Sequence, residues 1–177
     1  NADYYFEKID DEIFYISTPK GKFELSRKNS SKVLAINLLF SVALAMEAGA
    51  GIHSVKDGIK NYSGVQGRFY SYVSSNKSLI IDDSYNANPE SMKSSLNQLK
   101  NFTKNKIFIM GDMGELGERS LEHHLSIFRL AKDVDVKYLL YMGKYKNEAK
   151  SIFGDGCRTF DDIMVLTDYA RRVSDES

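Results

Sequence analysis

From about residue 62 onward, short apolar runs rich in β-branched and aromatic residues alternate with longer stretches whose apolar positions recur at helical spacing. Residues 69–73 and 78–82 read as strands about a Ser-Ser-Asn turn, and 106–110 and 138–142 as two more. Between them, 89–101 reads as a helix with Met92, Leu96 and Leu99 on one stripe, Asn88 as its cap and Pro89 at its first position. A second helix is expected over 120–131, with Leu121, Leu125 and Phe128 on one face, a weaker one over 146–153 and a last one over 161–172. Strands alternating with helices of about ten to fifteen residues predict the α/β class: βαβ units and a mostly parallel sheet covered on both faces, hence three layers.

The residues before this alternation have a different texture. Residues 4–25 read as two consecutive hairpins, turning at Asp10-Asp11 and at Pro19-Lys20-Gly21. The longest apolar run, 33–46, holds fourteen residues. As a helix it spans only ~21 Å, short of a ~30 Å hydrocarbon layer, so we read it as a buried helix and expect no membrane span. Gly49 and Gly51 end it, and Ser54 reads as the N-cap of a short helix that follows. The polar, glycine-containing segment 61–67 has the composition of a linker, which divides the chain into 1–66 and 67–177. The chain opens on Asn1 rather than Met, and we expect it to be cut from something longer.

Charge and cysteine content narrow the function. Lys and Arg number 24 and Asp and Glu number 24, which removes the electrostatic case for a nucleic-acid or anionic-membrane partner. Cys157 stands alone, so neither an intrachain disulfide framework nor a thiolate zinc site can form, as fits a reducing cytoplasm.

In open parallel sheets, ligands bind at the carboxyl ends of the strands. Strand 78–82 runs into Asp82-Asp83-Ser84-Tyr85-Asn86-Ala87-Asn88, strand 106–110 into Gly111-Asp112-Met113-Gly114-Glu115, and strand 138–142 into Gly143. The first loop offers carboxylates, a phenol and amides just before a helix N-terminus: Asp83 can accept from ribose hydroxyls and the amides can hold a carboxylate. The same string reads equally as an elaborate N-cap with turn aspartates, and the two readings stay open. His124 falls on the buried face of its helix, where a hydrogen-bonded core histidine is the plainer reading. Arg68, after Gly67 at the junction, can reach phosphate oxygens or simply lie on the surface. Asn37 and Ser41 share a face of the apolar helix, where an asparagine needs a partner: backbone, another domain or a nucleobase. No G-x-x-x-x-G-K-[ST] loop, G-x-G-x-x-G or nucleophile elbow is present, so no self-sufficient ATP site is visible.

The string Ile81-Asp82-Asp83-Ser84-Tyr85-Asn86-Ala87-Asn88-Pro89-Glu90-Ser91-Met92 resembles the Mur ligases of peptidoglycan synthesis. Gly67-Arg68, the run from Gly111-Asp112-Met113-Gly114-Glu115 to Leu116-Gly117-Glu118, and His124 match in the same order. The strong match covers roughly 67–124, and residues 1–66 more loosely resemble the end of the family's central ATPase domain.

The resemblance implies a Rossmann-like carboxy-terminal domain preceded by a remnant of that ATPase domain. It implies a cytoplasmic, monomeric ligase that uses ATP and Mg²⁺ to join D-alanyl-D-alanine to UDP-N-acetylmuramoyl-tripeptide. The tripeptide carboxylate becomes an acyl phosphate, which the dipeptide amine attacks. Carried over by position, Asn37 would lie near adenine, Arg68 near the ATP phosphates or ribose, and Asp83 on the ribose. Tyr85, Asn86 and Asn88 would face the acceptor dipeptide, and Asp112, Glu115 and His124 would support the site from behind. The family's phosphate loop and Mg²⁺ ligands have no counterpart in these residues, so we expect the fragment to be inactive alone. The alternatives are a Mur ligase with a different acceptor, an α/β phosphohydrolase using Asp82 or Asp83 beside Mg²⁺ with Asp112 and Glu115, and a non-enzymatic binding module.

Overall fold

A computed structural model describes residues 3–10, 13–26 and 32–175. They form two compact units, Asn1–Ser63 and Gly64–Ser177.

In the first unit, β1 (Tyr5–Asp10), β2 (Ile13–Thr18) and β3 (Gly21–Ser26) make an antiparallel meander. Alternation puts Phe14, Ile16, Phe23 and Leu25 on one face, and this face is the core. The turn expected at Asp10-Asp11 lies partly outside the described residues, as does the polar stretch 27–31. Two helices cover the core face, α1 (Lys32–Glu47) and α2 (Ile52–Lys60). From α1 come Ala35, Leu38, Val42 and Met46, spaced for one helical stripe, and from α2 comes Val55. The expectation of a buried α1 needs correcting. The helix is apolar all round, but only that stripe is covered, and Ile36, Phe40 and Leu44 on the other side are 44%, 65% and 72% exposed. Helix α2 is capped by Gly51 rather than Ser54, which falls inside its first turn.

The second unit opens with a hairpin of β4 (Tyr70–Val73) and β5 (Leu79–Asp82), closed by Ser74 N–H on Ser78 O at 2.9 Å. Helix α3 (Pro89–Leu99) follows, then β6 (Lys106–Gly111), a 3-10 turn over Gly117–Arg119 and α4 (Ser120–Asp133). The remainder is β7 (Val136–Met142), α5 (Lys146–Phe153), β8 (Cys157–Thr159) and α6 (Ile163–Asp175). Strands β6, β7 and β8 pair in that order and in parallel, which makes the unit a mixed α/β fold.

Strand β7 shows why the sheet has two covered faces. Leu139 and Tyr141 join Leu96 of α3, Ile127, Phe128 and Ala131 of α4, and Ala149 and Phe153 of α5. Leu140, pointing the other way, packs with Phe160 and with Leu166 of α6. Each fully buried side chain of this size contributes about 1.5–3 kcal/mol of transfer free energy.

Two expectations about the sheet differ from the structure. β4 and β5 do pair about the Ser-Ser-Asn turn, as residues 74–78 allow, but the place also expected for β5 in the parallel series is not seen among the described residues, where its ladder partner is β4. β8 was not anticipated, since three residues are too few to show a period. Among the described residues, no helix is long and apolar enough to cross a membrane.

Candidate functional site

The segment 67–69 and the loop after β5 are laced together. The Gly67 N–H donates to Asp82 Oδ2 at 3.1 Å, the Phe69 N–H to Asp83 Oδ1 at 2.9 Å, and the Tyr85 N–H to Gly67 O at 2.9 Å. Two aspartates thus serve as backbone acceptors across the hairpin end. Gly67 is buried with φ +80, and a Cβ there would meet Tyr85 N and Cβ, both at 3.2 Å. Both the conformation and the close approach require glycine. Phe69, at φ +52, occupies the left-handed region that aromatic residues rarely adopt, and the bond to Asp83 holds it there.

Asp82 also closes a turn on itself, accepting from Ser84 Oγ at 2.6 Å and Ser84 N–H at 3.1 Å. The Ser84 hydroxyl, with the Ser84 and Gly67 amides, holds this carboxyl below the usual carboxylate range. Asp83 Oδ2 accepts from Ser95 Oγ on α3, so both of its oxygens are engaged, each keeping a lone pair for another donor.

The Arg68 side chain lies over the Tyr85 ring, its guanidinium carbon 3.9 Å from the ring centroid. Both residues are exposed, and among the described residues no carboxylate lies within ion-pair distance of Arg68. A stacked guanidinium without a counter-charge is suited to an anionic oxygen arriving from solution. The structure therefore brings Arg68, Asp83 and Tyr85 together. Asn86 is exposed beside them. Asn88 is the N-cap of α3: its side chain accepts from Ser91 N–H at 2.9 Å and its own N–H donates to Ser91 Oγ at 3.1 Å, a reciprocal capping box. Asn37 belongs to the first unit, where it is exposed and its carbonyl accepts from Ser41 Oγ at 2.9 Å.

A second cluster sits at the carboxyl ends of β6 and β7. His124 is fully buried; Nδ1 donates to Ser120 O at 2.7 Å and Nε2 accepts from Met113 N–H at 3.0 Å, which together place the ring proton on Nδ1. Asp112 Oδ1 is 3.5 Å from Nε2. Because that nitrogen already presents its lone pair to Met113, we treat the approach as a close contact and not as an ion pair. Asp112 instead accepts from Tyr141 Oη and from Lys144 N–H, while Tyr141 Oη accepts from Tyr145 N–H at 3.2 Å. Burial first, and the Asp112 bond second, push the Tyr141 phenol up.

Gly143 makes this meeting feasible, since a Cβ there would overlap the Asp112 carboxylate and the Tyr141 hydroxyl. Glu115 is exposed at the tip of the loop, with φ +58. Tyr141 and Ser95 were not foreseen. A tyrosine in the middle of a buried strand was the available signal for the first, since a buried phenol needs a partner. The serine, one turn after Ser91 on α3, carried none.

Asp82 and Asp83 spend their oxygens on local donors and do not converge with Asp112 and Glu115. Among the described residues, no three His, Cys, Asp or Glu side chains are grouped to hold a metal ion.

Residues 67–174 match the sequence profile of the Mur ligase glutamate ligase domain, and the chain belongs to the Mur ligase family. Its relatives include the UDP-N-acetylmuramoyl-tripeptide–D-alanyl-D-alanine ligases of Escherichia coli K12, 29% identical over 87% of this chain and 34% of the relative, and of Haemophilus influenzae Rd, 35% identical over 64% and 25%. This chain spans about a third or less of the length of these relatives. In fold it is similar to MurF from Acinetobacter baumannii, with TM-score 0.86 and 23% identity over 97% of this chain and 39% of that one. It is similar also to MurF ligase from Thermotoga maritima, solved in complex with ADP, with TM-score 0.70 and 23% identity over 96% and 40%.

Proposed function

We propose that this chain is the carboxy-terminal part of a ligase that joins D-alanyl-D-alanine to UDP-N-acetylmuramoyl-tripeptide with consumption of ATP. The observation that carries the proposal is the likeness to the E. coli ligase of that name, which runs through 87% of the chain. The ADP in the T. maritima neighbour supports a nucleotide as ligand. In this reading, residues 1–66 are the end of the central ATPase domain and 67–177 the Rossmann-like carboxy-terminal domain. The enzyme works as a monomer in the cytoplasm, where its UDP-linked substrate and ATP are found.

For the nucleotide, Asn37 is assigned near adenine, Arg68 at the phosphates or ribose and Asp83 on the ribose. Arg68 suits the phosphate oxygens because its guanidinium is stacked and, among the described residues, has no carboxylate within ion-pair distance. Asp83 would receive a ribose hydroxyl on the lone pairs left by Phe69 N–H and Ser95 Oγ. Asn86, on the same loop, would face the acceptor dipeptide.

The test is phosphate release from ATP by the full-length ligase, supplied with UDP-N-acetylmuramoyl-tripeptide and either D-alanyl-D-alanine or single amino acids. Release that requires the dipeptide is expected. Release driven by a single amino acid would transfer the chain to another Mur ligase, and turnover of a simple phosphoester with Mg²⁺ by this fragment would favour a phosphohydrolase. Arg68→Ala and Asp83→Ala should each raise the KM for ATP; unchanged kinetics in both would remove the site assignment.

A further inference from the structure

Tyr85 has a side chain that is 67% exposed on a backbone that is firmly held. Its N–H donates to Gly67 O at 2.9 Å, and its Cβ occupies the space a side chain on Gly67 would need. The ring is thus fixed at its root to the residue just before Arg68, and its face lies beneath the guanidinium, 3.9 Å from centroid to Cζ. Asp82 and Asp83 bind the Gly67 and Phe69 amides on either side of Arg68, so the backbone under the arginine is held as well. An arginine has many side-chain rotamers, and it gives up much of that freedom when it binds an anion. A ring that already orders the guanidinium reduces that loss and leaves the outward N–H groups free.

We propose that Tyr85 is a positioning residue for Arg68: the phenol ring holds the guanidinium in the orientation in which it meets the phosphate oxygens of the nucleotide, and does not itself contact the acceptor dipeptide. This rests on the nucleotide reading above and replaces the dipeptide role that sequence resemblance suggests for Tyr85. The stacking face is what matters, so Phe serves at this position and an aliphatic residue does not.

The experiment compares Tyr85→Phe, Tyr85→Leu, Arg68→Ala and the Tyr85→Leu/Arg68→Ala double variant in the full-length ligase, with KM for ATP and for D-alanyl-D-alanine measured separately. A cation–π contact of this kind predicts that Tyr85→Leu raises the KM for ATP about two- to fivefold. Tyr85→Phe should be unaffected, the KM for the dipeptide should not move, and the double variant should be no worse than Arg68→Ala. In the 177-residue chain, the Arg68 side-chain proton resonances should be shifted upfield by the ring in the parent and in Tyr85→Phe, and return to ordinary values in Tyr85→Leu. That readout needs no activity, and the exposure of Tyr85 lets the variants fold. If Arg68→Ala raises the KM for ATP while Tyr85→Leu does not, or if the Tyr85→Leu effect falls on the dipeptide or persists without Arg68, the positioning role is overturned and the nucleotide reading stands. If Arg68→Ala leaves ATP use unchanged, the positioning role falls together with the phosphate role of Arg68, and the nucleotide reading is overturned with them when Asp83→Ala is also without effect.

Discussion

His124 Nε2 accepts the backbone N–H of Met113 at 3.0 Å, tying the first turns of α4 to the loop that leaves β6. The other ring nitrogen is spent on Ser120 O, so the histidine acts as a buried strut with no lone pair or proton to spare. Replacing it by Phe keeps an aromatic ring near Tyr145 but strands the Met113 amide. An unsatisfied buried donor costs about 1–3 kcal/mol, and His124→Phe should lose stability by that amount in urea unfolding of the 177-residue chain. A loss under about 0.5 kcal/mol, the ordinary range for uninvolved surface positions, would show that the strut carries nothing.

Gly143 should tolerate no side chain. A methyl group there must displace the Asp112 carboxylate or the Tyr141 ring, and overpacking of this kind costs about 1–3 kcal/mol. Gly114, on the neighbouring loop, has nothing within 4 Å of its Cβ position. Gly143→Ala is therefore expected to lower the denaturation midpoint clearly and Gly114→Ala to leave it nearly unchanged. Equal effects at the two positions would contradict the packing described.

Tyr141 makes stability sensitive to alkali. Burial raises its phenol above the ordinary value near 10, so the folded protein keeps the proton while the unfolded chain releases it. Its contribution is complete below about pH 10 and declines as pH rises from there toward the folded value. Urea midpoints measured at pH 8 and pH 10.5 should differ more in the parent than in Tyr141→Phe, which has no phenol to ionise. Parallel declines would place the alkaline sensitivity elsewhere.

Asp82 has the opposite dependence. The Ser84 hydroxyl and the Ser84 and Gly67 amides hold its carboxyl low, so the clasp contributes fully above the usual carboxylate range and is lost as pH falls through the depressed folded value. Carboxyl carbon resonances followed on acidification should show Asp82 titrating below an ordinary aspartate, with the Gly67 and Ser84 amide signals moving together with it. Titration of Asp82 at the ordinary value would sink the clasp.

The α/β alternation was legible because it rests on period and capping. Asn88, Pro89 and the Met92/Leu96/Leu99 stripe lead to an α3 that starts where expected, and 146–153 is a helix at the expected bounds. The two amino-terminal hairpins followed from aromatic and β-branched runs broken by turn residues. What escaped was information held in pairings and in three dimensions. The pattern of 79–82 marks a strand but does not say which neighbour it bonds to, and β8 is too short to have a pattern. In the candidate site, Asp83 and Arg68 could be singled out by type and position. That Asp82 and Asp83 would turn their oxygens onto the backbone of Gly67 and Phe69 could not, because such bonds join residues 14 and 15 positions apart through a hairpin whose register had to be known first.

Helix α1 carries two sets of instructions. Ala35, Leu38, Val42 and Met46 are consumed by the meander they cover, whereas Ile36, Phe40 and Leu44 are addressed to water in this chain. Handled in isolation, the polypeptide presents an adhesive strip along one side of a helix, and the concentration at which it stays dispersed will be set by those three side chains more than by its balanced charge.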